Sequence, residues 1–269
     1  MNDLSPFGFR VRFHIPQNQI IDYEGESFDI QFINKEKILQ LISTSETCIN
    51  KSNNLVIKGG GFTSKEEALT VGLRVKKTLL LCGPFLDMGF DVGEDKASFI
   101  LAACFKEEIK KFGYNAIDDV HGLNVFSEAL PVHIFSSESK MKSYPSFNIF
   151  VGRFNKLYER DPQLSDKQTL ALELFNLSYF EESLRAIFLT LMTGIECLSH
   201  PRKESIYKSC QSIIKKTLGS EFLKEFEIFY KIRNSLIHDG IVPGGIQLGS
   251  QIPKLRKFLS QLIIKLIPD

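Results

Sequence analysis

The first third of the chain alternates apolar and polar residues, and alternation at every second residue is typical of a half-buried strand. In residues 9–15, FRVRFHI, apolar side chains alternate with Arg and His, and residues 27–33, SFDIQFI, show much the same pattern. Residues 55–59, LVIKG, predict a further strand, whereas residues 35–43, KEKILQLIS, suit a strand and a helix equally well. The pattern therefore predicts a sheet in this part of the chain.

A helix is expected to follow these strands. Thr63 and Ser64 each precede a Glu by three residues, which gives overlapping capping boxes. Apolar residues then recur at helical spacing until Gly83-Pro84, which is expected to end the helix. A second helix over about 96–111 and a strand over 124–136 would complete a domain that mixes helices and strands.

Beyond Asp161-Pro162 the pattern changes to nearly continuous helical periodicity. Four or five amphipathic segments with short connections predict an up-and-down helical bundle. The polar, Pro-containing residues 136–147 mark the change. We therefore predict an α+β protein, with an N-terminal mixed α/β domain of unassigned role over 1–140, a transition over 141–164 and an all-α helical bundle over 165–269.

Composition and charge exclude some classes of protein. Lys and Arg number 33 against 32 Asp and Glu, a balance that argues against a dedicated duplex-DNA binder but allows a local basic cleft. Five cysteines without a C-x-x-C pair are typical of reduced thiols in a cytosolic protein. The sequence has neither a signal-peptide pattern nor an apolar run long enough for a membrane span. We expect a cytoplasmic protein that does not use a membrane.

Two sequence features suggest ligand sites but fit simpler explanations better. Gly59-Gly60-Gly61 precede a predicted helix as phosphate-binding loops do, but no Lys-Ser/Thr follows in P-loop register, so a flexible turn is expected. Asp118 and Asp119 lie close to His121, yet a D-D-x-H stretch without further ligands is typical of a solvated loop. We therefore predict neither a metal nor a cofactor.

The helix predicted over 221–238 carries an arginine on its apolar stripe. Arg233 lies on this stripe between Phe229 and Leu236. An arginine that faces a core needs acceptors for its N–H donors. A carboxylate such as Glu196, a backbone carbonyl or a phosphate from outside the chain could supply them.

Another face of the same helix carries Tyr230, Asn234 and His238, which are four residues apart. Arg233 and His238 are five residues apart, about 140° around an α-helix, so they cannot contact each other within one helix. Both can border one cleft where a second helix crosses. The helix C-terminus favours a cation at His238, and Asp239 adds to this effect.

The stretch Arg233-Asn234-Ser235-Leu236-Ile237-His238 resembles the R-x4-H signature of HEPN domains, including the polar residue after the arginine. Residues 172–198 are similar to the first long helices of the Apea-like HEPN branch, where an acidic residue is frequent at the position of Glu196. The resemblance covers about residues 165–269, and it implies a HEPN-like fold for the predicted bundle.

The resemblance implies metal-independent RNA cleavage of the kind used in stress and phage defence. HEPN ribonucleases pair two copies of the motif across a dimer, so this chain would act as a homodimer on RNA. Arg233 would bind the scissile phosphate and His238 would transfer protons. Asn234 would orient either group, and Glu196 and Tyr230 would support them.

Two other interpretations stay open. The bundle could be a non-catalytic module that dimerises and binds RNA, with Arg233 in a structural ion pair, or a regulator that binds a nucleotide in the same Arg/His cleft. Many HEPN toxins that a nucleotidyltransferase controls carry a Tyr two residues after the His, where modification silences them. Gly240 occupies that position here, so this control is not expected. The sequence identifies no regulatory protein or nucleotide partner.

Overall fold

The structure is a computed structural model that describes residues 7–16, 28–31, 38–43, 52–62, 64–92, 147–199 and 205–267. The chain divides into two compact units. The first runs to Cys82 and resumes from Phe90 to Asp161, and the second comprises Gly83–Gly89 and the chain from Pro162 onwards. The predicted domain boundaries at 140 and 165 stay predictions.

The first unit contains a four-stranded antiparallel sheet. Its strands are β1 (Phe7–Pro16), β2 (Phe28–Gln31), β3 (Ile38–Ser43) and β4 (Ser52–Phe62), in the spatial order β1-β4-β3-β2. Ile57 on β4 pairs with Val11 on β1 and with Leu41 on β3. The side chains of Val11, Phe13 and Ile57 are fully buried, and the alternation in residues 9–15 predicts this for Val11 and Phe13.

The prediction of an α+β protein with a mixed α/β N-terminal domain is wrong. Helices dominate the described part of the chain, and the strands in it precede every helix instead of alternating with helices. Antiparallel neighbours such as β2, β3 and β4 pair directly with one another, so this sheet forms without helices between its strands. The helix expected at 96–111 and the strand expected at 124–136 lie outside the described residues, as does the carboxylate cluster around His121.

Two element boundaries that the sequence predicted from glycine and proline lie elsewhere in the structure. Gly59 and Gly60 lie within β4, where they pair with Phe9 and Gly8, so the flexible turn predicted there is wrong. The first helix, α1 (Lys65–Leu86), continues past Pro84 instead of ending at it. Ser64 caps this helix, since its Oγ accepts a hydrogen bond from the Glu67 N–H at 3.1 Å.

Phenylalanine rings fill the core of the first unit. The second helix, α2 (Phe147–Arg160), contributes Phe150 and Phe154, whose ring centroids lie 6.0 Å apart. Phe90 lies 5.9 Å from both Phe150 and Phe13, so the rings form a continuous row. Aromatic contacts at these separations add to the stability gained from burial. The frequent phenylalanines of the sequence therefore serve packing here.

The second unit is a helical bundle, as predicted. Its helices in the described residues are α3 (Asp166–Leu177), α4 (Leu184–Leu198), α5 (Ile206–Thr217), α6 (Leu223–His238) and α7 (Leu248–Leu266), with a short 3-10 turn at Ser220–Phe222. α4 packs against each of the other four helices and is the central element. None of the described helices is both long and apolar enough to cross a membrane.

Close packing and side-chain caps fix the helices that carry the candidate site. Gly194 on α4 lies so close to α7 that an added Cβ would be 2.8 Å from Leu259 Cδ2. Phe188 on α4 meets Phe229 on α6 at 6.4 Å between ring centroids. Ser183 caps the start of α4 through the Ala186 N–H. Glu196 on α4 and Arg233 on α6 are therefore held on rigid elements.

Candidate functional site

An ion pair between α4 and α6 holds Arg233. Its Nε lies 2.9 Å from Glu196 Oε1, and its Nη2 donates a hydrogen bond to Glu196 Oε2 at 3.3 Å. The side chains are 19% and 12% exposed, so water screens the pair only partly. Oε1 accepts no hydrogen bond of good geometry, so its contact with Nε is electrostatic. The carboxylate partner that the sequence suggested for Arg233 is present.

Two further side chains surround the guanidinium of Arg233. Its Nη1 donates to Asn234 Oδ1 at 3.2 Å. Its Cζ lies 5.6 Å from the centre of the Tyr230 ring, within the range of a cation–π interaction. The structure thus brings together Arg233, Asn234, Tyr230 and Glu196, four of the five residues proposed from the sequence.

His238 lies apart from this cluster, in the last turn of α6. Its side chain is exposed, and among the described residues no hydrogen bond or ion pair joins it to Arg233 or Asn234. The helix ends directly after it, where the Asp239 N–H donates to the Ser235 carbonyl at 2.9 Å. Gly240 follows with φ +68°, a left-handed conformation that favours glycine. His238 is therefore presented to solvent at the end of a capped helix.

An aromatic pair next to Arg233 was missed in the sequence. Tyr207 on α5 and Tyr230 on α6 have ring centroids 4.7 Å apart. Both rings also pack on Phe226, which is fully buried. Tyr207 lies on an amphipathic helix, but sequence spacing alone does not show which residue of another helix it meets. This pair borders the guanidinium of Arg233 on the side of Tyr230.

Burial shapes the chemistry of the thiol and hydroxyl groups around the ion pair. The pKa of Cys210 is raised to about 11, mainly by burial; a hydrogen bond with Ser199 lowers it, the charge of Glu196 raises it and that of Arg233 lowers it. Burial is also the main cause of the raised pKa of Tyr230. Cys210 is consequently a protonated thiol near neutral pH and a poor nucleophile.

The described residues contain no group of three or more His, Cys, Asp or Glu side chains placed to bind one metal ion. No family model, curated protein or solved structure matches this chain. The HEPN resemblance therefore rests on the motif at Arg233–His238 and on the position of Glu196, and the function it implies is argued below as a proposal.

Proposed function

We propose that the helical bundle is a metal-independent endoribonuclease of HEPN type, which acts as a homodimer in the cytoplasm in stress or phage defence. One observation carries this proposal. The guanidinium of Arg233 is fixed by Glu196 and Asn234 five residues before the exposed His238 at the helix end. A fixed cation for a phosphate and an accessible imidazole for protons are the two groups that RNA cleavage without a metal requires.

Arg233 binds the scissile phosphate in this proposal. A guanidinium has more N–H donors than the contacts with Glu196 and Asn234 use, so donors remain for phosphate oxygens. Glu196 is a positioning residue, because it holds the side chain of Arg233 without contacting the substrate. Fixing the guanidinium in advance reduces the reorganisation needed in the transition state.

His238 transfers protons in this proposal. A neutral imidazole removes the proton from a ribose 2′-OH, and the freed 2′-oxygen attacks phosphorus as the bond from phosphorus to the 5′-oxygen breaks. The His238 of the second copy donates a proton to the departing 5′-oxygen. The products are a 2′,3′-cyclic phosphate and a 5′-hydroxyl, and the phosphorus gains and loses one oxygen bond.

Two copies are needed because one copy does not bring its own Arg233 and His238 together. Arg233 faces α4 while His238 is exposed, and the two residues lie about 140° apart around α6. A symmetric dimer that places α6 beside its counterpart gives one cleft two copies of each residue. In this proposal the active site is therefore composite, with Arg233 and His238 from both copies.

Cleavage of RNA in the presence of EDTA tests the proposal. The full-length dimeric fraction is compared with the variants His238→Ala and Arg233→Lys, and with Lys254→Ala as a control, since Lys254 is exposed on α7. We expect cleavage by the wild type and by the control, and at least a hundredfold loss in His238→Ala, the order of magnitude of acid–base catalysis. Arg233→Lys keeps the charge but loses two-pronged phosphate binding, so its activity should also fall. Equal activity in all four proteins would refute the assignment.

Subunit mixing tests the composite site separately. Wild-type and His238→Ala subunits are exchanged in equal amounts. If each site needs both histidines, only wild-type homodimers cleave, and activity per total protein falls to about one quarter of the wild-type value. Sites that work within one chain would instead retain about one half.

A second function is favoured by one observation. All three guanidinium nitrogens of Arg233 already contact Glu196 or Asn234, which suits a structural ion pair in a module that binds RNA or a nucleotide without cutting it. The cleavage assay separates the two functions, because this module would bind RNA and leave it intact.

A further inference from the structure

We infer that the Tyr207–Tyr230 pair stacks an unpaired base of single-stranded RNA next to Arg233. This inference rests on the proposed function and specifies the form of RNA that the same site takes.

The two tyrosines form a rigid, partly exposed aromatic surface. Their ring centroids lie 4.7 Å apart, and they pack on the buried Phe226 at 5.9 and 5.6 Å. The Tyr207 hydroxyl accepts a hydrogen bond from Gln211 Nε2 at 2.9 Å, which fixes the outer end of that ring. Both tyrosines are half-buried, although they pack on each other, on Phe226 and, for Tyr230, against Arg233, so part of the pair is accessible to a ligand. A surface that is already ordered loses little entropy on binding.

Positively charged residues lie next to the two tyrosines, in space for Arg233 and in sequence for two lysines. The guanidinium of Arg233 lies 5.6 Å from the centre of the Tyr230 ring. Lys208 and Lys231 each follow one of the tyrosines in sequence, and both are exposed. Two carboxylates oppose these charges: after burial, which is the largest cause in both cases, Glu227 raises the pKa of Tyr207 and Glu196, the partner of Arg233, raises that of Tyr230. The three positive charges outnumber the carboxylates, so together with the aromatic rings they favour a ligand that has an aromatic plane and a negative charge.

An unpaired nucleotide has both properties. Its base can stack on an aromatic side chain while its phosphate reaches a nearby Arg or Lys. Bases in a duplex are stacked on each other and do not present their faces. The site should therefore prefer single-stranded RNA to the same sequence in a duplex.

Binding without cleavage tests this inference. The parent protein is the full-length His238→Ala variant, and the probe is a short fluorescent RNA oligonucleotide, used alone or annealed to its complement. In fluorescence anisotropy we expect the single strand to bind more tightly than the duplex. Tyr207→Leu should weaken single-strand binding roughly five- to hundredfold, the value of one stacked base. Tyr207→Phe keeps the ring and should stay within about twofold of the parent.

Charge provides a second readout at the same surface. Glu227→Gln removes one opposing carboxylate, so it should tighten single-strand binding, whereas Lys254→Ala should leave it unchanged. Thermal unfolding of each variant, followed by circular dichroism, establishes that Tyr207→Leu is folded at the assay temperature. Where that variant is unfolded, Glu227→Gln and the comparison of single strand with duplex carry the test.

The outcomes separate this inference from the proposed function. If a folded Tyr207→Leu variant binds the single strand as tightly as the parent, the inference of base stacking is wrong. This holds even if the wild type cleaves RNA and needs His238 to do so. Equal affinity for single strand and duplex would overturn it as well. Binding that depends on Tyr207, in a protein whose wild type cleaves no RNA, would support the inference and refute the ribonuclease.

Discussion

Removing one partner of the Arg233–Glu196 ion pair should destabilise the helical bundle. The side chains are only 19% and 12% exposed, and the closest contact is 2.9 Å. Leaving one charge of a fully buried pair without its partner costs about 3–5 kcal/mol. Partial exposure of both groups lets water screen the remaining charge, which reduces the expected cost to about 2–3 kcal/mol. A loss of this size corresponds to a fall of about 4–12 °C in Tm.

A double-mutant cycle isolates the interaction between the two side chains. Thermal unfolding is followed by far-ultraviolet circular dichroism in the wild type, Glu196→Leu, Arg233→Met and the double variant. Each single variant leaves one largely buried charge without its partner, whereas the double variant removes both charges. The double variant should therefore be at least about 1 kcal/mol more stable than the sum of the single effects predicts.

The Lys77–Asp161 pair in the first unit offers a matched control. Its side chains are 29% and 31% exposed, so Lys77→Met should cost only about 0–1 kcal/mol. Additive effects of Glu196→Leu and Arg233→Met, or single effects no larger than that of the control, would refute the claim that Glu196 holds Arg233 in position.

Two further predictions concern stability. Gly89→Ala should lower Tm, with a cost of about 1–3 kcal/mol, because an added Cβ would lie 2.5 Å from Tyr179 Cβ. Gly152→Ala is the control and should not lower Tm, because its Cβ would meet nothing within 4 Å. Equal Tm values for the two variants would contradict the close packing at Gly89. Burial raises the pKa of Cys210 from 9.0 to about 11, so the unfolded chain releases this proton first and stability falls as pH rises from 9.0 to about 11. Urea unfolding over this pH range should show a smaller fall in Cys210→Ala than in the wild type, and parallel profiles would speak against the buried thiol as a cause.

Some features of the elements follow from local patterns in the sequence. Alternation in residues 9–15 predicts β1 and the burial of Val11 and Phe13, since neighbouring side chains of a strand point to opposite faces. The predicted cap at Ser64 is present at the start of α1, because the Glu67 N–H that it binds lies only three residues away. Such features depend on close neighbours in sequence and are therefore readable from it.

Features that depend on distant residues are not readable in the same way. The pairing of β1 with β4, and the place of Gly59 within that ladder, depend on contacts between segments far apart in sequence. The apolar stripe of α6 predicts that Arg233 needs an acceptor, but the choice of Glu196 depends on how α4 packs against α6. Tyr207 was missed for the same reason, because its meeting with Tyr230 requires the arrangement of α5 and α6.

The chemistry of the cleaved bond tests the central claim most directly. The wild type and His238→Ala are incubated in EDTA with an RNA and with the same RNA carrying 2′-deoxyribose at the cleaved position. The account predicts that only the wild type cuts, that it cuts only the RNA with the 2′-OH, and that the product ends in a 2′,3′-cyclic phosphate. Loss of wild-type activity in EDTA, cleavage of the 2′-deoxy substrate, or full activity in His238→Ala would contradict it.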